Sequence, residues 1–149
     1  MQALPLEVRR LGPGEGELAT RVLLTVAQVF DEPCEPLPVA YVEELLARRE
    51  FWLVAALEGG APVGGLTAHT LPMTRSASRE IFLYDISVVE RAQRRGIGRT
   101  LVATLRELAR REGIGVVFVP ADHDDDHALD FYRALGGDEA KVSIFTFED

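Results

Sequence analysis

The sequence predicts a mixed α/β fold, a central β-sheet flanked by helices. Three observations carry this. Strand-like and helix-like segments alternate along 149 residues, with no repeat, low-complexity tract or linker between them. Residues 81–119 read as a β-α-β unit, which calls for a partly parallel sheet. The composition is 47% hydrophobic, with seven Phe, three Tyr and one Trp. That supplies a core for one domain over residues 1–149, since a globule of this size buries roughly 68–70% of its unfolded surface.

Each element has its own signal. Leu6–Leu11 reads as a first strand, broken by Gly12-Pro13-Gly14. Glu15–Phe30 is helical, with Leu18, Val22, Val26 and Val29 at helical spacing. Asp31–Pro38 holds three prolines and is a loop. Val39–Arg49 is a second helix with Val42, Leu45 and Leu46 on its apolar face. Phe51–Leu57 and Val63–Leu71 flank Gly59-Gly60 as a hairpin. Pro72–Ser78 is a polar loop, and Ile81–Val89 is a long strand, apolar on both faces, that suits the centre of a sheet. An amphipathic helix runs on through Glu112, its stripe marked by Leu101, Leu105 and Leu108. Val116–Val119 is a buried strand, and Asp122–Asp126 is an acidic loop. Ala128–Leu135 is a short helix stopped by Gly136-Gly137, and Val142–Phe147 is a last strand. The predicted order is β-α-α-β-β-β-α-β-α-β.

Composition narrows the function. The formal net charge is −8, which argues against nucleic acid and favours a cationic partner. The lone Cys34 permits no internal disulfide. The first residues, MQALPLEVRRLGPG, lack an apolar core of signal-peptide length, and no apolar run reaches the ~20 residues that span a bilayer. The expectation is a cytoplasmic protein with no membrane partner.

Gln93-Arg94-Arg95-Gly96-Ile97-Gly98 stands between the apolar run IFLYDISVV and a helix. The first N–H groups of a helix have no intrahelical partner, and the helix dipole adds partial positive charge there. Glycines admit close approach to the backbone, and arginines add charge and bidentate donors. QRRGIG therefore reads as a phosphate or pyrophosphate site. A Walker loop is excluded because its lysine and spacing are absent, and a dinucleotide fingerprint because Arg99-Thr100 follows the GxG. A glycine turn with solvated arginines is the bland alternative.

Two carboxylate sets point to an amine. Asp85 sits within IFLYDISVV, where an ionisable group is costly unless paired or functional. A splayed strand that lets it reach water, or a bond to backbone, is the structural alternative. ADHDDDHA places Asp122, Asp124, Asp125 and Asp126 in one loop, with His123 and His127. Four carboxylates attract a polycation. Asp125 or Asp126 also suits a helix cap, and a solvated acidic loop is the plain reading. The loop starts like an EF-hand, but His127 stands where Gly is needed and Arg133 where Glu is needed, so no metal is expected.

These residues carry a resemblance. Gln/Arg-x-x-Gly-x-Gly after a long strand, the element order, and Ala128-x-x-x-Tyr132 within ALDFYRALGG resemble the GNAT N-acetyltransferase family over nearly the whole chain. The resemblance implies acetyl-CoA as cofactor and coenzyme A as product. It implies that backbone N–H groups along Gln93, Arg94, Arg95, Gly96, Ile97, Gly98, Arg99 and Thr100 cradle the pyrophosphate. Ile86, Ser87 and Val88 would pair with the pantetheine arm as an added strand, and an N–H near Val88 would polarise the acetyl carbonyl. Tyr132 would protonate the departing thiolate. The amine attacks the thioester directly, with no metal and no covalent intermediate.

SREIFLYDISVVERAQRRGIG and PADHDDDHALDFYRALGG, with RLGPG and AHTLP, resemble one branch of that family, the GNAT-type aminoglycoside 3-N-acetyltransferases. That implies a role in antibiotic resistance. Asp85 would engage the reacting amine, and Asp122, Asp124 and Asp125 other ammonium groups, with Glu80 assisting. Asp125 also replaces the Asn that many family members carry, which again favours a cationic acceptor. The chain departs from the branch at Pro120, where Gln is expected, at His123 and His127, and in its proline-rich 31–38 loop. All these changes fall on the acceptor side. A polyamine, a small metabolite amine or a peptide N-terminus is the alternative acceptor, and a non-catalytic coenzyme A-binding protein is a further alternative. Val142, Ile144, Phe145 and Phe147 serve either as core or as a homodimer surface; the sequence leaves both open.

Overall fold

In the computed structural model, which describes residues 4–31 and 33–149, the segments become β1 (Leu6–Leu11), α1 (Gly16–Gln28), α2 (Val39–Ala47), β2 (Phe51–Glu58), β3 (Ala61–Pro72), β4 (Arg79–Val88), α3 (Ile97–Arg111), β5 (Val117–Phe118) and α4 (Asp126–Ala134). A single 3₁₀ turn, Glu90–Ala92, joins β4 to the loop before α3. The described residues fall into two compact units, one ending at Val119 and one over Pro120–Asp149. No helix among them is long and apolar enough to cross a membrane.

The first unit holds the sheet, ordered β1-β2-β3-β4-β5. Its first three pairings are antiparallel and the β4–β5 pairing is parallel, as the β-α-β reading requires. Strand alternation sorts side chains onto two faces. Leu11, Phe51, Leu53, Ala55 and Leu57 lie in a core cluster with Ala19, Val22 and Val26 of α1 and Val42 and Leu46 of α2. The opposite face carries α3, whose buried stripe includes Leu101, Leu105 and Ala109. Periodicity made both helices legible, because each buries a single stripe.

Gly65 lets α1 approach the sheet closely, and Gly64 lets β3 lie close to β4. A Cβ at Gly65 would stand 2.9 Å from Val22 Cγ1 and 3.1 Å from the Val54 carbonyl oxygen. One at Gly64 would stand 2.7 Å from the Ser87 carbonyl oxygen. Ser87 Oγ in turn donates to the Val26 carbonyl at 2.9 Å, tying β4 to the end of α1.

Three expectations are corrected. The last strand is absent: residues 138–149 form no ladder, and Val142, Ile144, Phe145 and Phe147 are exposed. VSIFTF has strand propensity, but a strand exists only where its backbone groups find a partner strand. These side chains are therefore not core. The strand at Val116–Val119 shrinks to two residues at the sheet edge, with Val116 and Phe118 exposed rather than buried. β4 stands fourth of five strands rather than at the centre and is not buried along both faces, since Tyr84 is 62% exposed.

Candidate active site

The exposure of Tyr84 has a local cause. Thr67 pairs with Asp85 and Ala68 with Leu83, so Tyr84 is an extra residue, a β-bulge in β4. A bulge bends its strand and re-aims the side chains beside it. Here it puts Asp85 opposite Thr67 and Ser87 opposite Gly65, on the α1 side of the sheet, although Leu83, two residues before Asp85, lies on the other. Beyond the bulge, β4 also loses its second neighbour. β5 pairs only with Ile81 and Phe82, so Leu83–Val88 is paired on its β3 side alone among the described residues.

Asp85 is half-buried at this point. Burial raises its carboxyl pKa above the ordinary aspartate value, because the charged form loses hydration. A half-buried carboxyl shifted by desolvation, beside a half-open strand edge, is a site poised to take a cation or a proton. Glu80 sits on the same strand, paired with Leu71 and half-buried. Five residues separate it from Asp85, about 15 Å at the usual strand rise.

The loop after β4 is wound tightly. Arg94 has φ 63° and Gly96 φ 78°, and Gly96 is the N-cap of α3. A non-glycine residue in that region carries roughly 1–3 kcal/mol of strain, which marks Arg94 as held there. Ile97, Gly98 and Arg99 open the helix, so their N–H groups point out of its N-terminus. A Cβ at Gly96 would meet no protein atom within 4 Å, so the space beside the loop is open. A groove of about 490 Å³ continues from Arg99 and Thr100 along the exposed flank of α3 to Arg111.

Two side chains in this loop have structural partners that the sequence did not disclose. Gln93 Nε2 donates to the Val88 carbonyl at 2.8 Å, holding the loop to the end of β4. Arg95 donates to Glu58 at the end of β2. That bond holds the Glu58 carboxyl below its ordinary pKa and the Arg95 guanidinium above its own. Arg95 therefore anchors the loop to the sheet through its side chain. No spacing rule links positions 58 and 95, because only the tertiary fold joins them.

The second unit carries the remaining predicted residues. Asp125 caps α4, accepting from Ala128 N at 3.0 Å, as the sequence suggested. Asp122 Oδ1 accepts from Asp124 N at 3.0 Å and shapes the loop. Asp124 is exposed. Tyr132 lies on α4, its ring 5.1 Å from Phe131. The helix stops where Gly136 takes φ 84°. Asp85, Ile86, Ser87, Val88 and the 93–100 loop thus gather in the first unit, and Asp122, Asp124, Asp125 and Tyr132 in the second.

The half-open edge of β4 runs towards the open N-terminus of α3, an arrangement that suits an extended ligand with an anionic end. The comparisons agree. The model of the acetyltransferase (GNAT) family matches residues 20–136. The chain belongs to that family, and its α/β fold is the GNAT fold. Enzymes of the family use acetyl-CoA. The N-alpha-acetyltransferase RimI of Mycobacterium tuberculosis (strain ATCC 25618 / H37Rv) is 36% identical over 112 residues, covering 74% of this chain and 66% of that relative. An aminoglycoside acetyltransferase from an uncultured soil metagenomic sample superposes with a TM-score of 0.91 at 33% identity, over 98% of this chain and 99% of that one. A second aminoglycoside acetyltransferase from an uncultured soil metagenomic sample, solved in complex with sisomicin, gives 0.89 at 28% identity over 97% of each chain.

Proposed function

We propose that this acetyltransferase moves an acetyl group from acetyl-CoA to an amine of an aminoglycoside, the 3-amino group by resemblance. One observation carries the reading. A half-buried carboxyl, Asp85, stands at a bulge beside the half-open edge of β4, in a chain similar along nearly its whole length to two aminoglycoside acetyltransferases.

The residues present fit the cofactor. The Leu83–Val88 edge offers backbone groups to an extended arm. The N–H groups from Arg94 to Arg99 and the open space at Gly96 suit a pyrophosphate, and Arg99 heads the adjoining groove. When bound, acetyl-CoA supplies an activated acyl group as a thioester. Asp85 holds the acceptor's ammonium and takes its proton, which leaves the nitrogen lone pair free to attack. The cationic acceptor lowers the Asp85 pKa back towards the ordinary range, so binding itself ionises the base. A β4 N–H near Val88 would stabilise negative charge on the acyl oxygen. Tyr132 would supply the proton that the departing thiolate needs, and the second proton shed by the acylated nitrogen would restore its phenol. Asp122, Asp124 and Asp125 engage further ammonium groups. For these three and for Tyr132 the support is the motif resemblance.

Replacing Gly96 with Ala tests the cradle. The φ of 78° costs Ala about 1–2 kcal/mol of stability. The new methyl meets no protein atom, so a rise in the acetyl-CoA KM of about tenfold reports lost anion contact. An unchanged KM removes the cradle from this loop.

A second reading is kept for one reason: the 36% identity to a peptide N-terminal acetyltransferase. Coenzyme A release from acetyl-CoA with gentamicin, sisomicin, kanamycin, spermidine and a mixed peptide pool separates the two. Turnover with the aminoglycosides is the expected result. Turnover confined to peptides or spermidine rejects the antibiotic and keeps the chemistry.

A further inference from the structure

A second opening lies on the Asp85 side of the sheet. It is a pocket of about 270 Å³ between α2 and the ends of β2 and β3, lined by Tyr41, Glu44, Arg48, Glu50, Phe51 and His69. None of these residues has a place in the chemistry above. Yet the pocket is joined to Asp85 by a continuous row of rings. Phe51 lies 5.5 Å from His69, His69 lies 6.0 Å edge-on from Tyr84, and Tyr84 lies 5.5 Å from Phe82, which reaches Phe118 at 5.1 Å. Tyr84 is the bulged residue immediately before Asp85. In the β3–β4 register His69 is the diagonal neighbour of Asp85, since Thr67 pairs with Asp85. Diagonal neighbours across a sheet stand about 7–8 Å apart.

The lining has a definite chemistry. Phe51 is buried and His69 half-buried, so the floor is aromatic and fixed. The rim carries two exposed carboxylates, Glu44 and Glu50. Arg48 opposes them, but it meets Glu50 only at 3.9 Å, with 61% and 54% of the two side chains exposed. A surface pair at that distance contributes little and yields readily to a better cation. The pocket volume equals that of about nine water molecules, room for one six-membered ring. An aromatic floor packs the C–H face of such a ring and attracts cations, and the rim carboxylates take its ammonium groups. The combination suits a ring that itself carries ammonium groups, and a linear polyamine has no ring to lay on the floor.

We propose that this pocket is an acceptor subsite that seats one amino-sugar ring of a polyammonium acceptor, with Glu44 and Glu50 on its amines, while another amine of the same molecule stands at Asp85. The proposal deepens the aminoglycoside reading and rests on it.

The test is the double variant Glu44→Gln/Glu50→Gln, with sisomicin as the wide probe and 2-deoxystreptamine as the single-ring probe. Binding of both is measured by calorimetry and sisomicin turnover by coenzyme A release. Both positions are exposed, so the melting temperature stays unchanged. Sisomicin binding and KM weaken about tenfold. Its kcat, the acetyl-CoA KM and the affinity for 2-deoxystreptamine stay at wild-type values. Unchanged sisomicin affinity in the variant, with an active wild type, overturns the subsite and leaves the aminoglycoside reading standing. Equal losses on both probes together with a fall in the sisomicin kcat also overturn it, because the carboxylates then act at the reacting amine. A wild-type protein that neither binds nor acetylates sisomicin sinks the aminoglycoside reading itself, and the subsite falls with it.

Discussion

Asp85→Asn abolishes most of the activity and makes the protein more stable. The loss is about 10²–10⁴-fold in kcat/KM, the usual worth of a positioned general base, and more if the charge also binds the amine. The gain in stability follows from burial. The fold raises the Asp85 pKa, so the native state holds its proton more tightly than the unfolded chain does. Above the unfolded value, about 3.9 for aspartate, ionisation then favours the unfolded state, and native stability declines as pH climbs towards the folded pKa. Below the unfolded value both states are protonated and the effect is gone. Asn lacks the ionisation, so the variant melts higher than wild type at neutral pH, and the difference closes as pH falls towards 3. Melting temperatures at pH 7.5 and pH 3.5, beside initial rates with gentamicin, check both halves. An active Asp85→Asn enzyme removes the base. An inactive variant that melts lower at neutral pH means that Asp85 is a structural partner and not a strained functional group. In the wild type, the acid limb of kcat/KM reports the free enzyme and falls above the ordinary aspartate range.

Tyr132→Phe lowers kcat about a hundredfold and leaves the acetyl-CoA KM nearly unchanged. The substitution deletes one oxygen and keeps the ring that packs on Phe131. What is lost is the proton that the leaving thiolate needs, a contribution at the lower end of general-acid catalysis. Stopped assays for kcat, calorimetry for coenzyme A binding and a melting curve separate the outcomes. A variant with normal binding and a depressed kcat supports the donor role. A variant at the wild-type rate assigns the proton to another group. If coenzyme A binds tightly to wild type and variant while neither turns over any amine, the chain is a cofactor-binding protein without catalysis.

These two residues were visible in the sequence for different reasons. Asp85 stood out as a charge inside an apolar run, IFLYDISVV. Tyr132 stood out through its spacing from Ala128 alone. The subsite residues had no such signal. Glu44 and Glu50 look like solvated charges around a helix end, and His69 like one more residue in a strand. AHTLP at 68–72 stands out only as part of a resemblance.

By itself, the sequence determined the elements whose cause is local. α1 and α3 follow from stripes at helical spacing. The 59–60 turn, the start of α3 at Gly96 and the end of α4 at Gly136 follow from glycines that accept positive φ. The Asp125 cap follows from a carboxylate standing just before a helix. The anion site proposed at QRRGIG rests on the same local geometry. Everything that depends on which segments meet was decided by the tertiary structure. The Tyr84 bulge exists because β3 and β4 pair in two registers on either side of it. β5 stops after two residues, which leaves half of β4 with a single neighbour. VSIFTF has the composition of a strand and no ladder. Arg95 found Glu58 across 37 residues. Propensity and periodicity are properties of a segment, whereas a bulge, a half-open edge and a pocket wall belong to pairs of segments far apart in the chain. The family of this protein could be read from its residues, but which segments meet beside Asp85 could not.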